Sequence, residues 1–318
     1  MRKILVTGGA GFIGSNYVRW AVKRHPDWQI TVIDSLTYAG KLENLEGLRE
    51  KVTFFPGNIA EPTDVREAMQ GCDTVVNFAA ESHVDRALGN CKPFIRSNIE
   101  GVVTLLDEAK RIGVKRFLQV STDEVYSELL DSTYHSIETS NYGPRNPYSA
   151  SKAAAEHFVM SYHNSYGMDT VITRGSNTYG PYQYPEKAIP VFTIKALRDE
   201  PIPLYGNGKA VRDYMHVEDH VSGIDLVLEK GTPGGIYNLG AREQITGIDL
   251  VRNILRILRK PELLISYVTD RPGHDYRYSM DPSKTEKLGW TRKWNFQDGL
   301  IETVNWYRDH RERWIYLN

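Results

Sequence analysis

The chain has 318 residues, 39 basic against 40 acidic, and a net charge of −1. That balance excludes a surface built for nucleic acid or for an anionic membrane, and no apolar run reaches transmembrane length. Two cysteines, Cys72 and Cys91, exclude a disulfide framework, and no Cys/His group has zinc spacing, so a metal-free protein of the reducing cytoplasm is expected.

In chain order, Lys3–Val6 is a short apolar run of buried-strand type. Thr7-Gly8-Gly9-Ala10-Gly11-Phe12-Ile13-Gly14 follows it and opens a helix carrying Tyr17, Val18, Trp20 and Ala21. Glycines at 8, 11 and 14 let the backbone turn tightly and approach a pyrophosphate, and the helix start adds free N–H groups and a favourable dipole. Gly8, Gly11, Phe12, Ile13 and Gly14 are therefore candidate cofactor residues. The strand Ile30–Ile33 ends in Asp34, twenty positions beyond Gly14. A carboxylate there accepts from a ribose 2′-hydroxyl and repels a 2′-phosphate, which favours NAD over NADP. Val52–Phe55 reads as a third strand, with Asn58 and Ile59 just beyond it. Asp73–Phe78 reads as a fourth, and the small Ala79 and Ala80 after it allow a dinucleotide close to the backbone. A helical pattern from Ile95 to Arg111 leads to the strand Phe117–Val120. Such alternation predicts an α/β chain with a Rossmann-type, doubly wound parallel sheet that binds ligands at its carboxyl edge.

That edge carries Thr122, Asp123 and Glu124, a hydroxyl followed by two adjacent carboxylates. Neighbouring carboxylates repel and drive their pKa values apart, as a general acid and a general base require. Pro147-Tyr148-Ser149-Ala150-Ser151-Lys152 then opens an Ala-rich helix on which Tyr148 and Lys152 share a face. An ammonium beside a phenol is expected to hold Tyr148 nearer to ionisation. Alone, the Tyr/Lys pair reads equally as two solvated helix residues, and Ser121–Glu124 as a cap with an acidic first turn. Their place after a dinucleotide cradle shifts the balance toward catalysis.

In these motifs the chain resembles the extended short-chain dehydrogenase/reductases that act on nucleotide sugars, over nearly its whole length. The further markers are Asp34–Gly40, Ala79–Arg86, Tyr179–Tyr182 with Pro185–Lys187, Val217–His220 and Arg271–Asp275. The resemblance is nearest to the branch that dehydrates hexoses between C4 and C6, whose specific marker is the Thr122-Asp123-Glu124 triplet. It implies NAD as cofactor, with Asn58, Ile59 and Ala79 beside it and Tyr148 and Lys152 at the nicotinamide. It implies residues 1–176 as NAD-binding domain, with segments near 210–240 returning to it, and 177–318 as mainly a smaller α/β substrate lobe. It also implies a nucleotide-diphosphate hexose as partner, held by Ser82, His83, Asn177, Glu186, Lys187, Arg212, Asn238 and Arg271, and a homodimer. Ser127, Gly175, Thr178, Tyr214 and Asn58 depart from the family pattern, which expects Gly, Cys, Asn, Trp and Asp there. A 4-epimerase or decarboxylase on this scaffold would leave Asp123 and Glu124 without a task. A non-catalytic NAD sensor would not need Tyr148 and Lys152.

Overall fold

The structure is a computed structural model that describes residues 2–129, 133–270 and 275–315. Its first half runs β1 (Lys3–Thr7), α1 (Phe12–Arg24), β2 (Gln29–Asp34), β3 (Val52–Pro56), α2 (Pro62–Ala68), β4 (Thr74–Asn77), α3 (Val84–Gly89), α4 (Lys92–Ile95), α5 (Gly101–Ile112), β5 (Arg116–Thr122), α6 (Pro147–Tyr166) and β6 (Thr170–Gly175). The helix expected over 95–111 is interrupted by a π turn, Arg96–Glu100, between α4 and α5. The second half runs β7 (Asn177–Tyr179), α7 (Ala188–Leu197), β8 (Ile202–Tyr205), β9 (Val211–His216), α8 (Val217–Lys230), β10 (Ile236–Leu239), β11 (Gln244–Thr246), α9 (Gly247–Leu258), β12 (Ile265–Val268), α10 (Ser283–Glu286) and α11 (Phe296–Asp309).

Seven parallel strands form the main sheet in the order β3–β2–β1–β4–β5–β6–β10, the doubly wound architecture expected from the strand–helix alternation. Both faces are covered, so the strands are apolar on both sides. In β1, Ile4 and Val6 enter a core shared with α1 and α8, while Leu5 enters the opposite core with α2 and α5. Strand order reverses between β1 and β4, which opens the crevice where such sheets bind ligands. Although β10 follows β6 by sixty residues of chain, it pairs with it, Asn238 opposite Arg174. Two small sheets, β11–β9–β7 and β12–β8, lie beside a further core built from Phe192, Leu250, Ile254, Leu300 and Val304. The helical periodicities at 249–258 and 300–306 belong to α9 and α11, which pack into that core. Among the described residues, no helix is long and apolar enough to cross a membrane, and no three His, Cys, Asp or Glu side chains converge as metal ligands.

One ion pair is sealed inside this frame. Arg174 on β6 and Glu156 on α6 are both fully buried, with Nη2 donating to Oε2 at 2.6 Å. Tyr142 donates to the same carboxylate at 2.8 Å, and the rings of Tyr126 and Tyr142 flank the guanidinium at 4.5 and 4.8 Å. Removing one partner leaves a buried charge without compensation. Arg174→Met is therefore expected to lower stability by about 3–5 kcal/mol, read from the urea-unfolding midpoint. A loss below about 1 kcal/mol, the range of an exposed pair, would contradict a buried, uncompensated Glu156.

Candidate active site

The cradle forms where β1 turns into α1. Gly8 has φ +65°, and a Cβ there would lie 2.7 Å from the backbone of Ala79. Gly14 has no room either, because a Cβ would stand 2.2 Å from the Gly8 carbonyl oxygen. Gly11 is the N-cap of α1 and makes no side-chain cap, so the helix start stays bare for an anion. Phe12 and Ile13 form the first helical turn and rest, half-buried, on the α1/α8 core. Asp34 ends β2 and reaches back to the cradle, accepting from the Ala10 N–H at 3.0 Å and the Leu36 N–H at 2.9 Å. Burial raises its pKa, and these two donors oppose the shift. Ala79 donates its N–H to the Thr7 hydroxyl at 3.2 Å, which brings the exit of β4 against the glycines. The Asn58 carboxamide oxygen, expected beside the cofactor, accepts from the Ala60 N–H at 2.9 Å in a local turn. Ile59 is buried in the α2/α5 core.

At the carboxyl end of β5 the five candidate catalytic residues converge. Thr122 caps a short 3₁₀ turn, Asp123–Val125, accepting from the Glu124 N–H at 3.2 Å. The Thr122 hydroxyl donates to Asp123 Oδ1 at 3.1 Å and acts to lower the Tyr148 phenol. Asp123 is buried, and its Oδ2 has no partner among the described residues. Burial, then Glu124, then Asp213 push its pKa well above the carboxylate range. Glu124 is half-buried and accepts from Asn146 Nδ2 at 3.2 Å. The two carboxyls thus stand in different surroundings, although they are sequence neighbours.

The expectation for Tyr148 needs correcting. Lys152 turns its ammonium to the Val120 carbonyl at 2.7 Å. Burial, and then Glu124, hold the Tyr148 phenol well above its ordinary pKa, and Thr122 only partly offsets them. Burial pushes Lys152 down to about 8 against the opposing charge of Glu156. In the protein alone, therefore, the phenol is held in its neutral form.

Of the expected substrate residues, four meet at one mouth. Lys187 donates to the Ser82 carbonyl at 2.7 Å, and His83 Nε2 lies 3.3 Å from the Glu186 carbonyl. Asn177 begins β7, opposite Tyr214 of β9. Arg212 on β9 donates to the carbonyls of Val211 and Asp275, each at 2.8 Å, and covers the ring of Tyr278 at 5.1 Å. Asn238 is a correction: it is fully buried, and its carboxamide accepts from the Tyr126 hydroxyl and donates to the carbonyls of Ser136 and Asp281. With its groups spent inside the fold, it ties the 123–146 segment to β10 and does not face a nucleotide. Arg271 lies outside the described residues.

Four contributors escaped the sequence reading. Asn146 caps α6 in a capping box with Ser149 while holding Glu124; an Asn before a helix-opening Pro is a legible cap signal. Asn98, inside the π turn, donates to the Glu81 carbonyl at 2.9 Å and to the Ser151 hydroxyl at 2.8 Å, joining the β4 exit to α6. Asp213 is buried on three backbone N–H groups and faces Asp123 electrostatically. Tyr278 donates to Asp275 under the field of Glu124 and Asp123. None of the last three sits in a pattern whose period or spacing marks it.

Fold and site together define a dinucleotide-binding enzyme of the Tyr/Lys type carrying an added carboxyl pair. The chain belongs to the GDP-mannose 4,6-dehydratase family, whose profile matches residues 5–303. It is 44% identical over 306 residues to the low-salt glycan biosynthesis protein Agl12 of Haloferax volcanii, covering 96% of this chain and 98% of that one. It is 42% identical over 319 residues to a dTDP-glucose 4,6-dehydratase of Streptomyces niveus, covering 98% and 94%. The crystal structure of DesIV, a dTDP-glucose 4,6-dehydratase of Streptomyces venezuelae solved with NAD bound, superposes with a TM-score of 0.97 at 43% identity, covering 99% of this chain and all of that one.

Because a Cβ at Gly14 meets backbone and not a movable side chain, Gly14→Ala must displace the Gly8 turn. The purified variant is expected to lose the nicotinamide nucleotide that the unaltered protein releases on denaturation. Equal amounts of released nucleotide from both proteins would show that the cradle is not the binding element.

Proposed function

We propose that this chain is an NAD-dependent dTDP-glucose 4,6-dehydratase, converting dTDP-glucose to dTDP-4-keto-6-deoxyglucose with loss of one water. The observation that carries the reading is the carboxyl pair beside Tyr148: Asp123 buried, unpartnered at Oδ2 and pushed toward its neutral form, Glu124 half-buried and held by Asn146. A 4-epimerase needs neither group, and relatives named as dTDP-glucose 4,6-dehydratases support the thymidine nucleotide.

The glycines at 8, 11 and 14 and the start of α1 would hold the pyrophosphate, Asp34 the adenosine ribose, and Ala79 the path between them. Bound NAD supplies a positive charge that lowers the raised Tyr148 phenol, an acceptor for the C4 hydride, and the return of that hydride to C6. Tyr148 takes the C4 hydroxyl proton while Thr122 steadies the same oxygen. The C4 ketone acidifies the C5 proton, which Glu124 removes. Asp123 gives its proton to the C6 hydroxyl, which leaves as water. Glu124 then returns its proton to C5. Ser82, His83 and Glu186 would frame the sugar, Lys187 would lie by the nucleotide, and Asn177 and Arg212 would hold the diphosphate, where Arg offers a fork.

We also infer a cytoplasmic homodimer, as the family resemblance implies; α6 leaves Phe158 and Tyr166 exposed for such a contact. Light scattering of the purified protein is expected to give twice the chain mass, and a monomer at working concentration would overturn this.

Substitutions in the site separate the steps. Mixed with dTDP-glucose, wild type is expected to yield a product lighter by one water. Tyr148→Phe should fail at oxidation and show no NADH absorbance, a loss of about 100- to 10,000-fold. Asp123→Asn and Glu124→Gln should still oxidise C4 and accumulate NADH with a ketose that keeps its C6 oxygen. Solvent deuterium should enter C5 in the Asp123 variant and much less in the Glu124 variant. Turnover by both carboxyl variants within a few-fold of wild type would exclude the dehydratase.

A further inference from the structure

The Ala10–Gly11 peptide lies inside the glycine turn, and its carbonyl is held from outside that turn. Gly11 donates its N–H to the Gly8 carbonyl at 3.1 Å. The Ala10 carbonyl accepts from the Lys41 N–H at 3.0 Å and from the Asn44 carboxamide at 2.9 Å. A peptide unit is planar, so contacts at its two ends set the tilt of one rigid plate. Gly11 is also the cap of α1, so the same plate aims the bare helix start at the pyrophosphate. On the neighbouring peptide, the Ala10 N–H is taken by Asp34.

Asn44 is buried in a 3₁₀ turn, Leu42–Leu45, and its backbone carbonyl accepts from Arg19 of α1 at 2.7 Å. A carboxamide has one donor end and one acceptor end. The Ala10 carbonyl can only accept, so Asn44 turns its nitrogen there and its Oδ1 needs a donor on the other side. Arg313, in the 3₁₀ turn Arg311–Arg313 that follows α11, supplies it from 269 residues along the chain. Its Nη1 donates to Asn44 Oδ1 at 3.3 Å, and its Nη2 to the Glu43 carbonyl at 3.2 Å and the Glu46 carboxylate at 3.5 Å. Among the described residues, no other side chain donates to Asn44 Oδ1. Aromatic faces hold the fork in place: Arg313 lies over the rings of Tyr182 at 5.0 Å and Trp306 at 5.8 Å, and Arg19 covers Tyr182 at 4.4 Å. A planar guanidinium stacked in this way loses little freedom for each hydrogen bond it forms.

We propose that Arg313 is a positioning residue for the cofactor. It orients the Asn44 carboxamide, which pins the Ala10 carbonyl and keeps the cradle in the shape that retains NAD. Both residues act through one backbone carbonyl. Without the guanidinium, Asn44 can turn its oxygen toward the Ala10 carbonyl, two acceptors face each other, and the plate tilts.

The inference rests on the glycine cradle holding NAD. Holoprotein is incubated with excess isotopically labelled NAD, freed of unbound nucleotide at intervals and assayed for label, with thermal unfolding followed in parallel. Arg313→Met and Asn44→Ala should each exchange NAD on the order of tenfold faster than wild type, the scale of one lost hydrogen bond to a buried group. Because Arg313 acts through Asn44, the double variant should exchange no faster than Asn44→Ala alone. Asn44→Asp is the sharpest arm. It keeps, and charges, the acceptor for Arg313 but has no donor for the Ala10 carbonyl, so it should exchange as fast as Asn44→Ala. A clip that only ties the chain together would leave Asn44→Asp exchanging like wild type, and would make Arg313→Met unfold earlier with its exchange unchanged. Either result overturns the proposal, as does a double variant in which the two effects add. Arg313→Ala repeats the arm should the methionine variant not fold. Wild-type protein that holds no nicotinamide would overturn the cofactor reading, and this inference with it.

Discussion

Buried polar groups need partners, and that requirement fixes the helix on which the site depends. The amino-terminal half of α6 buries four polar side chains: Ser149, Ser151, Lys152 and Glu156 are all nearly inaccessible. Three of them find partners on other elements, and Ser149 binds the helix's own cap. Ser149 closes the capping box with Asn146, Ser151 accepts from Asn98 in the π turn, Lys152 donates to Val120 on β5, and Glu156 pairs with Arg174 on β6. A purely apolar helix face would slide among several packings of similar energy. Three directional contacts to three elements leave α6 a single register against the sheet edge, and with it a single position for Tyr148.

The same burial sets the electrostatics, and it works on each group according to its charge. It pushes the neutral forms of Asp123 and Tyr148 and lowers Lys152. For Asp123 that is the state a general acid needs. For Tyr148 it is the wrong state for a base, and no side chain among those acting on the phenol supplies a compensating cation. A positively charged cofactor would do so, which ties competence to the dinucleotide: without it the site rests with the phenol protonated.

The doubly wound sheet was legible because β1 to β5 are short apolar runs separated by helical periods, and because the glycine spacing, with Asp34 twenty positions on, makes sense only in a β–α–β unit. The catalytic edge was legible for a similar reason, since Thr122, Asp123, Glu124, Tyr148 and Lys152 lie on two elements whose ends the sequence marks. Legibility stopped where contacts run across the chain. The Lys152 ammonium could not be placed on the Val120 carbonyl from the helix spacing that brings it beside Tyr148. Asn238 looks like a ligand group in sequence, yet its bonds are made to Tyr126, Ser136 and Asp281, which lie 112, 102 and 43 residues away along the chain. Asp213 and Tyr278 carry no local pattern, because their relation to Asp123 exists only once β9 and the chain after 275 have folded over the β5 edge.

Two of the departures from the family pattern, Ser127 and Gly175, set a side chain against a glycine, where volume must fit closely. Ser127 brings a side chain where glycine is usual, and Gly143 faces it without one; a Cβ at 143 would lie 2.0 Å from the Ser127 oxygen. Gly175 gives up a side chain, and the His220 imidazole occupies that space, 2.5 Å from where a Cβ would be. Thr178 then meets His220 Nδ1 at 2.8 Å, and burial lowers that imidazole to about 3, so it stays neutral. Tyr214, in place of tryptophan, closes against Tyr179 and Phe296 with ring centroids 6.2 and 5.7 Å away. At Ser127 and at His220 a side chain fills the space that a glycine opposite leaves open, and Thr178 and Tyr214 close onto neighbours already in the wall.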